Sequence, residues 1–394
     1  MGSEQCRTED LCDRSQRVEP TEAEVARDRS QPGEPSDAAL VRDRSQPVSI
    51  RDVARAAGFS YQTVSRVINE SPNVSDATRD AVLAAIAELR FRPNRAARAL
   101  AGGPLQAVTV LATSTSLYGY AAAIEGIEEA TREVGFAMGF RTLKGVEPEA
   151  MHEAVERAIE PASGLIVIAF DPAGALALEC VPPEVPTAAM IQAPAAGLTP
   201  APSHVWIDEF AAAKAATKYL LDLGHQTVHH VPIPDWSGST PRLAGWRAAL
   251  QEAGVQPGLV LKGGWTAEWG YEAGLALAKQ PEVTAVLCGN DEIALGLMRA
   301  MYENGRAIPE DVSVIGFDDV PYARFAFPAL TTVRQDFKAL GRVCFARLLE
   351  LGEAGLSIGH AETPQAELVV RETAGPPASA TEGSSARPPP RATA

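Results

Sequence analysis

Residues 48–103 read VSIRDVARAAGFSYQTVSRVINESPNVSDATRDAVLAAIAELRFRPNRAARALAGG. Apolar Ile50, Val53, Ala54 and Ala57 repeat at helical spacing, and the run stops at Gly58, which suits a left-handed C-cap. Ser60 is placed to cap a second helix. On that helix Val64, Val67 and Ile68 share one face. Tyr61, Gln62, Ser65, Arg66 and Asn69, at i, i+1, i+4, i+5 and i+8, share the other. A short helix, a glycine turn and a helix with a polar outer stripe make a helix-turn-helix. Ser75 can cap a third helix, whose Val82, Ile86 and Leu89 close a small core over the first two.

The same spacing fits any three-helix satellite with a solvated face, so the stretch that follows decides. Arg90, Arg92, Arg95 and Arg98 surround Pro93, and AARALA at 96–101 breaks at Gly102, Gly103 and Pro104. This is a basic, small-residue helix with one large apolar side chain, Leu100. It is too short to stand alone and should order only against a partner. Two such helices in a minor groove, each offering Leu100 as a wedge between base pairs, satisfy every feature.

The segment thus resembles the DNA-binding headpiece and hinge helix of the LacI/GalR family of bacterial transcription regulators, and the resemblance runs to about Thr373. It implies that Tyr61, Gln62 and Arg66 read base edges in the major groove, with Arg suited to guanine. Ser60, Thr63, Ser65, Asn69, Asn73, Ser75 and Asn94 would hold phosphates. Ile50, Ala97 and Leu100 complete the expected DNA-contacting set. The implied target is a near-palindromic operator with TGTGAG-like half-sites.

The net charge of −15 argues at first against nucleic acid. Its distribution answers the objection: residues 48–103 carry eight arginines against five acids, a weakly basic head on an acidic body. The chain of 394 residues has room for two or three domains. Its five cysteines (6, 12, 180, 288, 344) form no CxxC pair and no ligand-spaced cluster with the six histidines. A reducing cytoplasm, no structural metal and no cofactor are expected. No apolar run approaches the length of a membrane span, and the acidic start does not read as a signal peptide.

Residues 1–47 are polar and carry RDRSQP at 27–32 and 42–47, with a partial copy at 13–16 in the same phase. Nothing apolar recurs within the repeat, so it cannot stack a core and reads as disordered. Repeats of this identity also point to tandem duplication in the DNA, with a start codon near Val41 or Val48 as the alternative. The Pro/Ser-rich tail at 375–394 reads as disordered too. The expected domains are an extension (1–47), a helix-turn-helix domain (48–93), a hinge (94–104), a two-lobed core (105–374) and that tail.

From 105 onward strand-like runs alternate with helical patterns. Strands are predicted at 108–112, 136–141, 165–170, 187–191, 205–207, 227–233, 259–262, 285–288, 312–317, 330–333 and 367–370. Helices are predicted at 120–134, 147–160, 209–223, 241–253, 267–279, 291–303 and 337–351. Such alternation means parallel sheets covered on both faces, and the units are too many for one sheet. Two Rossmann-like lobes with a cleft between their strand ends are expected. The resemblance agrees: its core looks like periplasmic sugar-binding proteins. It implies a first lobe of roughly 105–203 plus 337–363 and a second of roughly 204–335 plus 364–373, an all-α headpiece preceding an α/β core.

Catalytic motifs are absent: no GxSxG, no GxxxxGK[ST], no GxGxxG after a first strand and no HExxH. His229 and His230 sit in an apolar strand and read as buried structure. Asp318 and Asp319 lack a nearby third ligand, so a hydrogen-bonding role is preferred to a metal pair. Arg242, Asn290, Asp318 and Gln335 each stand just after a strand or its loop, where α/β sheets bind ligands. Arg242 can grip vicinal hydroxyls with its planar fork, and Trp265 offers a face for a sugar ring. The plainer reading puts Trp265 in the core and pairs Arg242 with Asp318 across the cleft.

In the resembling family the motifs RLAGW at 242–246, ND at 290–291, GFDD at 316–319 and TTVRQ at 331–335 carry effector-binding residues. The set Arg242, Trp265, Asn290 and Asp318 looks like its galactoside-responsive members, with Ser114 and Thr115 on the first-lobe side. Gln192 departs from that pattern where an acid is usual, and Phe170 where a polar residue is common. The C-terminus lacks a tetramerising heptad repeat, so a homodimer is expected. The sum is a sugar-responsive repressor that binds operator DNA. A co-repressor-activated regulator is the alternative within the class. From other classes the runners-up are a solute-binding protein and a sugar-modifying enzyme.

Overall fold

The computed structural model describes residues 48–68, 71, 74–91, 106–160, 162–194, 199–234, 240–351 and 362–378. They fall into two compact units that divide between residues 94 and 95.

The first unit is three helices, α1 (Ile50–Ala57), α2 (Tyr61–Ile68) and α3 (Asp76–Glu88). Helices this short need their ends secured. Ser49 and Asp52 form a capping box on α1, and Gly58 closes it in the left-handed region at φ 74°. Ser60 Oγ accepts from the Thr63 amide at 3.2 Å, and Ser75 Oγ from the Thr78 amide at 3.4 Å. Val53, Ala54, Val64, Val67, Val82, Ala85 and Phe91 form the core, with Ile86 and Leu89 packed against it. Phe91, which helical periodicity did not select, is its lid just past α3.

The second unit holds two five-stranded sheets. The first lobe contains β1 (Ala107–Ala112), α4 (Tyr118–Glu133), β2 (Ala137–Thr142), α5 (Pro148–Ile159), β3 (Gly164–Ala169), α6 (Pro172–Glu179), β4 (Thr187–Ile191) and β5 (His204–Val205). Its strands lie in the order β2-β1-β3-β4-β5, all parallel. The second lobe contains α7 (Glu209–Asp222), β6 (His229–Val231), α8 (Pro241–Glu252), α9 (Ala267–Leu277), β7 (Ala285–Cys288), α10 (Asp291–Glu303), β8 (Ser313–Asp318) and β9 (Thr331–Arg334). The chain then returns as α11 (Phe337–Leu351) to the first lobe, where Phe337, Leu340, Val343 and Phe345 join the core beneath β1 and β3. It crosses a third time to supply β10 (Glu367–Val369).

Five expectations are corrected. The sheets are not wholly parallel, because β10 comes in from the other lobe and runs antiparallel to β9. His204 and Val205 pair with β4, so they complete the first sheet rather than begin the second lobe. The strand expected at 259–262 is a single bridge, His230 to Val260, at the sheet edge. Helix α6 was not expected; PAGALALE is short and carries glycine, yet Asp171 caps it at 3.0 Å and proline sits in its first turn. Gly375, expected to open a disordered tail, is fixed to β8: its carbonyl accepts from Ser313 Oγ at 2.8 Å and its amide donates back at 3.0 Å.

Each sheet is covered on both faces. Trp246, the largest fully buried side chain, donates from Nε1 to the Val228 carbonyl at 3.1 Å and stacks on the His230 ring at 5.6 Å. Burial pushes the His230 imidazole down to about 4, so it packs as a neutral ring.

Helices α4 and α11 meet at two glycines. A Cβ on Gly126 would lie 2.0 Å from the Lys338 carbonyl oxygen, and one on Gly341 2.2 Å from that of Ala123. Backbone cannot yield there as a flexible side chain would. Gly126→Ala should therefore destabilise the core unit by ~1–3 kcal/mol, as overpacking does. A urea midpoint unchanged from the parent protein would contradict that close approach.

Candidate nucleic-acid interface and ligand cleft

In the first unit α2 turns Val64 and Val67 inward and leaves Tyr61, Gln62 and Arg66 exposed, Tyr61 at 50%. Thr63 and Ser65 are half-buried beside them. Among the described residues no carboxylate pairs with Arg66, so its fork is free to meet a planar acceptor pair. Ser60 and Ser75 accept the cap amides through their hydroxyl oxygens, and Ile50 packs against the core. Asn69, Asn73, Asn94, Ala97 and Leu100 lie outside the described residues.

In the second unit the strand ends of the two lobes enclose a cavity of about 50 Å³. That is room for a few waters, so a sugar ring needs its walls to move apart. The second-lobe wall carries Glu209, Arg242, Trp265, Asn290, Glu292 and Asp318; the first-lobe wall carries Leu117, Tyr118, Tyr120, Phe170, Gln192 and Phe337.

Arg242, in the first turn of α8, organises the polar wall. Its Nη2 donates to Glu209 Oε1 at 2.7 Å and to Asp318 Oδ1 at 3.3 Å, and its Nη1 to the Gly289 carbonyl. The guanidinium carbon lies 4.3 Å from the centre of the Phe317 ring. Burial alone would lower the Arg242 pKa, but the Glu209 and Asp318 carboxylates outweigh it and raise it. Asp318 stands at the end of β8 with φ 105°, followed by Asp319 at φ 55°. Two consecutive left-handed residues other than glycine are costly and send the two carboxylates apart. Asp319 pairs with Arg334 at 2.9 Å and Arg371 at 2.6 Å. Asp318 accepts from Gln335 Nε2 at 2.8 Å. Burial pushes its carboxyl up to about 7, against the pull of Arg242 and Gln335.

Asn290 caps α10 through Oδ1 and donates from Nδ2 to the Trp265 carbonyl at 3.0 Å, tying those two side-chain positions together. Asp291 is fully buried and holds the Val320 amide at 2.8 Å and the Thr332 hydroxyl at 2.5 Å. Burial raises its carboxyl well above the usual range, with Asp318 adding to it.

The opposite wall is aromatic. Tyr120 meets Phe170 edge-on at 5.4 Å, Phe170 meets Phe337 at 5.9 Å, and Tyr118 meets Phe337 at 6.3 Å. The Tyr120 hydroxyl is engaged by Asp171 at 2.5 Å, and Gln192 donates to the Phe170 carbonyl at 3.1 Å.

Arg242, Trp265, Asn290 and Asp318 are thus brought together, with Gln335 directly behind Asp318. Arg242 and Asp318 do pair, but within one lobe rather than across the cleft. Ser114 and Thr115 do not line the cavity; Ser114 Oγ instead accepts from the Ser116 and Leu117 amides at 3.2 Å each. Glu209 and the two tyrosines were not anticipated. An acid in a helix's first turn reads as a partner for the helix dipole, which hides its reach to Arg242. Among the described residues no cluster of three or more metal-ligating side chains occurs, and no helix is long and apolar enough to cross a membrane.

Comparison with known proteins matches both units. Residues 49–94 fit the family of bacterial regulatory proteins, lacI family, and residues 217–374 a periplasmic binding protein-like domain. The lactose operon repressor of Escherichia coli K12 is 34% identical over 329 residues, covering 82% of this chain and 90% of its own. The transcriptional repressor PurR of Escherichia coli O139:H28 is 34% identical over 309 residues, covering 77% of this chain and 89% of its own. Among solved structures, the lac repressor dimer bound to operator and the anti-inducer ONPF superposes with a TM-score of 0.73 at 33% identity, covering 83% of this chain and 99% of that one. A complex of the transcriptional regulator CelR with cellobiose gives 0.55 at 28% identity, covering 83% of this chain and 99% of that one. A capped three-helix head with an exposed polar stripe, a two-sheet core with a cleft at its strand ends, and identity along most of the chain agree: the protein belongs to the LacI family of bacterial regulatory proteins.

Proposed function

We propose that the chain is a sequence-specific repressor whose hold on operator DNA is set by a sugar bound in the cleft. It acts by binding rather than by catalysis, in the cytoplasm. The observation that carries the reading is α2: one face is locked into a core, and the other presents Tyr61, Gln62 and an unpaired Arg66 side by side. Such a stripe suits direct readout of base edges in a major groove. The operator-bound lac repressor dimer, a relative over most of the chain, supports it. The lac repressor bound to ONPG, with a TM-score of 0.73, and CelR bound to cellobiose support a carbohydrate ligand. In the cleft, Arg242, Asn290 and Asp318 supply donors and acceptors while Trp265 supplies a ring face. Ser60, Thr63, Ser65, Asn69, Asn73, Ser75 and Asn94 hold phosphates in this reading, and Leu100 wedges the minor groove. A ligand touching both lobes biases their orientation, and residues 94–104 carry that bias toward the head.

A near-palindromic operator matches a twofold-symmetric protein. In this reading the second lobe carries the surface for it. Phe327 is 99% exposed and Phe325 73%, and exposed Tyr302 borders the same depression as Phe327. Isolated apolar residues on a surface are ordinary; a group of large ones favours a contact.

Four outcomes are expected. Selection from random DNA should return a near-palindrome with TGTGAG-like half-sites. Arg66→Ala should cost ~1–3 kcal/mol at one base position and relax preference there, as loss of a bidentate contact does; an unrelated half-site sinks the recognition assignment. Arg242→Ala should bind operator as the parent protein does yet fail to release it when galactosides are titrated in. Release at parental concentrations would remove Arg242 from the site. Phe327→Asp should shift the sedimentation of the protein from dimer to monomer and weaken operator binding, and a dimer that persists would place the interface elsewhere.

A further inference from the structure

The polar wall of the cleft is richer in carboxylates than its single guanidinium needs. Glu209, Glu292 and Asp318 all line the cavity, against Arg242 alone. Glu209 spends Oε1 on Arg242 at 2.7 Å, while its Oε2 is buried with no hydrogen-bond partner. The residue is only 9% exposed, so solvent does not relieve that oxygen. A buried carboxylate oxygen left without a donor is a standing cost. Arg242 is also received by Asp318 and the Gly289 carbonyl, and its own Nε, buried without a partner, makes no bond to Oε2 either.

Charge narrows what can fill the gap. A phosphate or carboxylate would bring further negative charge into a wall that already has an excess, and it has no proton to give Oε2. A hydroxylated ring brings donors and no charge. Burial raises the Asp318 carboxyl first, and the nearby Glu292 and Glu209 charges add to that rise.

We propose that Glu209 is a ligand-contacting, specificity-determining residue: its Oε2 accepts a hydrogen bond from a hydroxyl of the bound sugar, and with Asp318 and Glu292 it restricts the cleft to uncharged, hydroxyl-donating ligands. Sugar phosphates and sugar acids are turned away. This rests on the sugar-effector reading above and names the class of sugar.

The experiment is operator release by the full-length protein, followed by fluorescence anisotropy of labelled operator. The titrants are methyl β-galactoside, isopropyl β-thiogalactoside, lactose and cellobiose, each compared with galactose 6-phosphate, glucose 6-phosphate and galacturonate. The parent protein should respond to at least one neutral sugar and to none of the anions. Glu209→Gln keeps an acceptor for Arg242, and its release by each sugar is read relative to its own operator affinity. The neutral sugar should then be needed at about tenfold higher concentration, and the handicap of the anionic sugars should shrink. A residue that only positioned Arg242 would weaken neutral and anionic sugars in the same proportion, which would overturn the proposal. Release of the parent protein by anionic sugars would overturn it too, while leaving a sugar effector standing. Release by no sugar of either class would overturn the effector reading itself, and this proposal with it. Should Glu209→Gln fold poorly, Glu209→Asp and the parent protein's own neutral-to-anionic ratio decide the matter.

Discussion

A guanidinium cannot remain in a protein interior unless acceptors are built around it, and the cleft of this protein is arranged about that requirement. Arg242 comes from the first turn of α8, Glu209 from that of α7, Gly289 from the end of β7 and Asp318 from the end of β8. One side chain thereby fixes four elements of the second lobe at their cleft ends. The strained backbone at Asp318 and Asp319 follows from it: the chain must aim one carboxylate inward at Arg242 and Gln335 and the next outward at Arg334 and Arg371. The first lobe carries none of this burden. Its wall is aromatic, and the part-buried polar group of Tyr120, Asp171 and Thr113 is satisfied internally.

The head is stabilised in a different way. Helices of 8, 8 and 13 residues have little stability of their own, so Ser49, Gly58, Ser60 and Ser75 secure the ends while a cluster of seven buried side chains holds the faces. Most of the large apolar side chains are used inside, Leu83 on α3 being the exposed exception. The polar ones on α2 are left with no structural duty, which is what frees them for another surface.

Much of this is legible in the residues. Periodicity locates β4, β7, α10 and α11 to the residue, since each is a plain apolar run or a clean helical pattern between strong stop signals. It fails where neighbours in space decide. An apolar run at 259–262 sits at a sheet edge flanked by Gly258, Gly263 and Gly264 and pairs only through one bridge. Helix α6 hides behind glycine and alanine although Asp171 and Pro172 mark its start. The direction of β10 depends on which lobe the chain has just left, which no local pattern records. In the cleft, Arg242, Asn290 and Asp318 announce themselves at or beyond the ends of strands, and Trp265 as a lone aromatic after a glycine pair. Glu209 does not, because its partner is 33 residues away and its local setting accounts for an acid without it.

The third crossing of the chain has a consequence for how the protein is made. Helix α11 supplies Phe337, Leu340, Val343, Cys344, Phe345, Leu348 and Leu349 to the core of the first lobe. Strand β10 and the segment through Gly375 finish the sheet of the second. Both cores therefore await the last stretch of the core unit to leave the ribosome. The usual economy of synthesis, in which an early domain folds while a later one is still being translated, is closed to these lobes. The head, whose buried side chains all lie between residues 53 and 91, can fold as soon as it emerges. A nascent chain halted before residue 337 would carry a finished DNA-reading surface on two unfinished bodies, each exposing the apolar bed of its missing element.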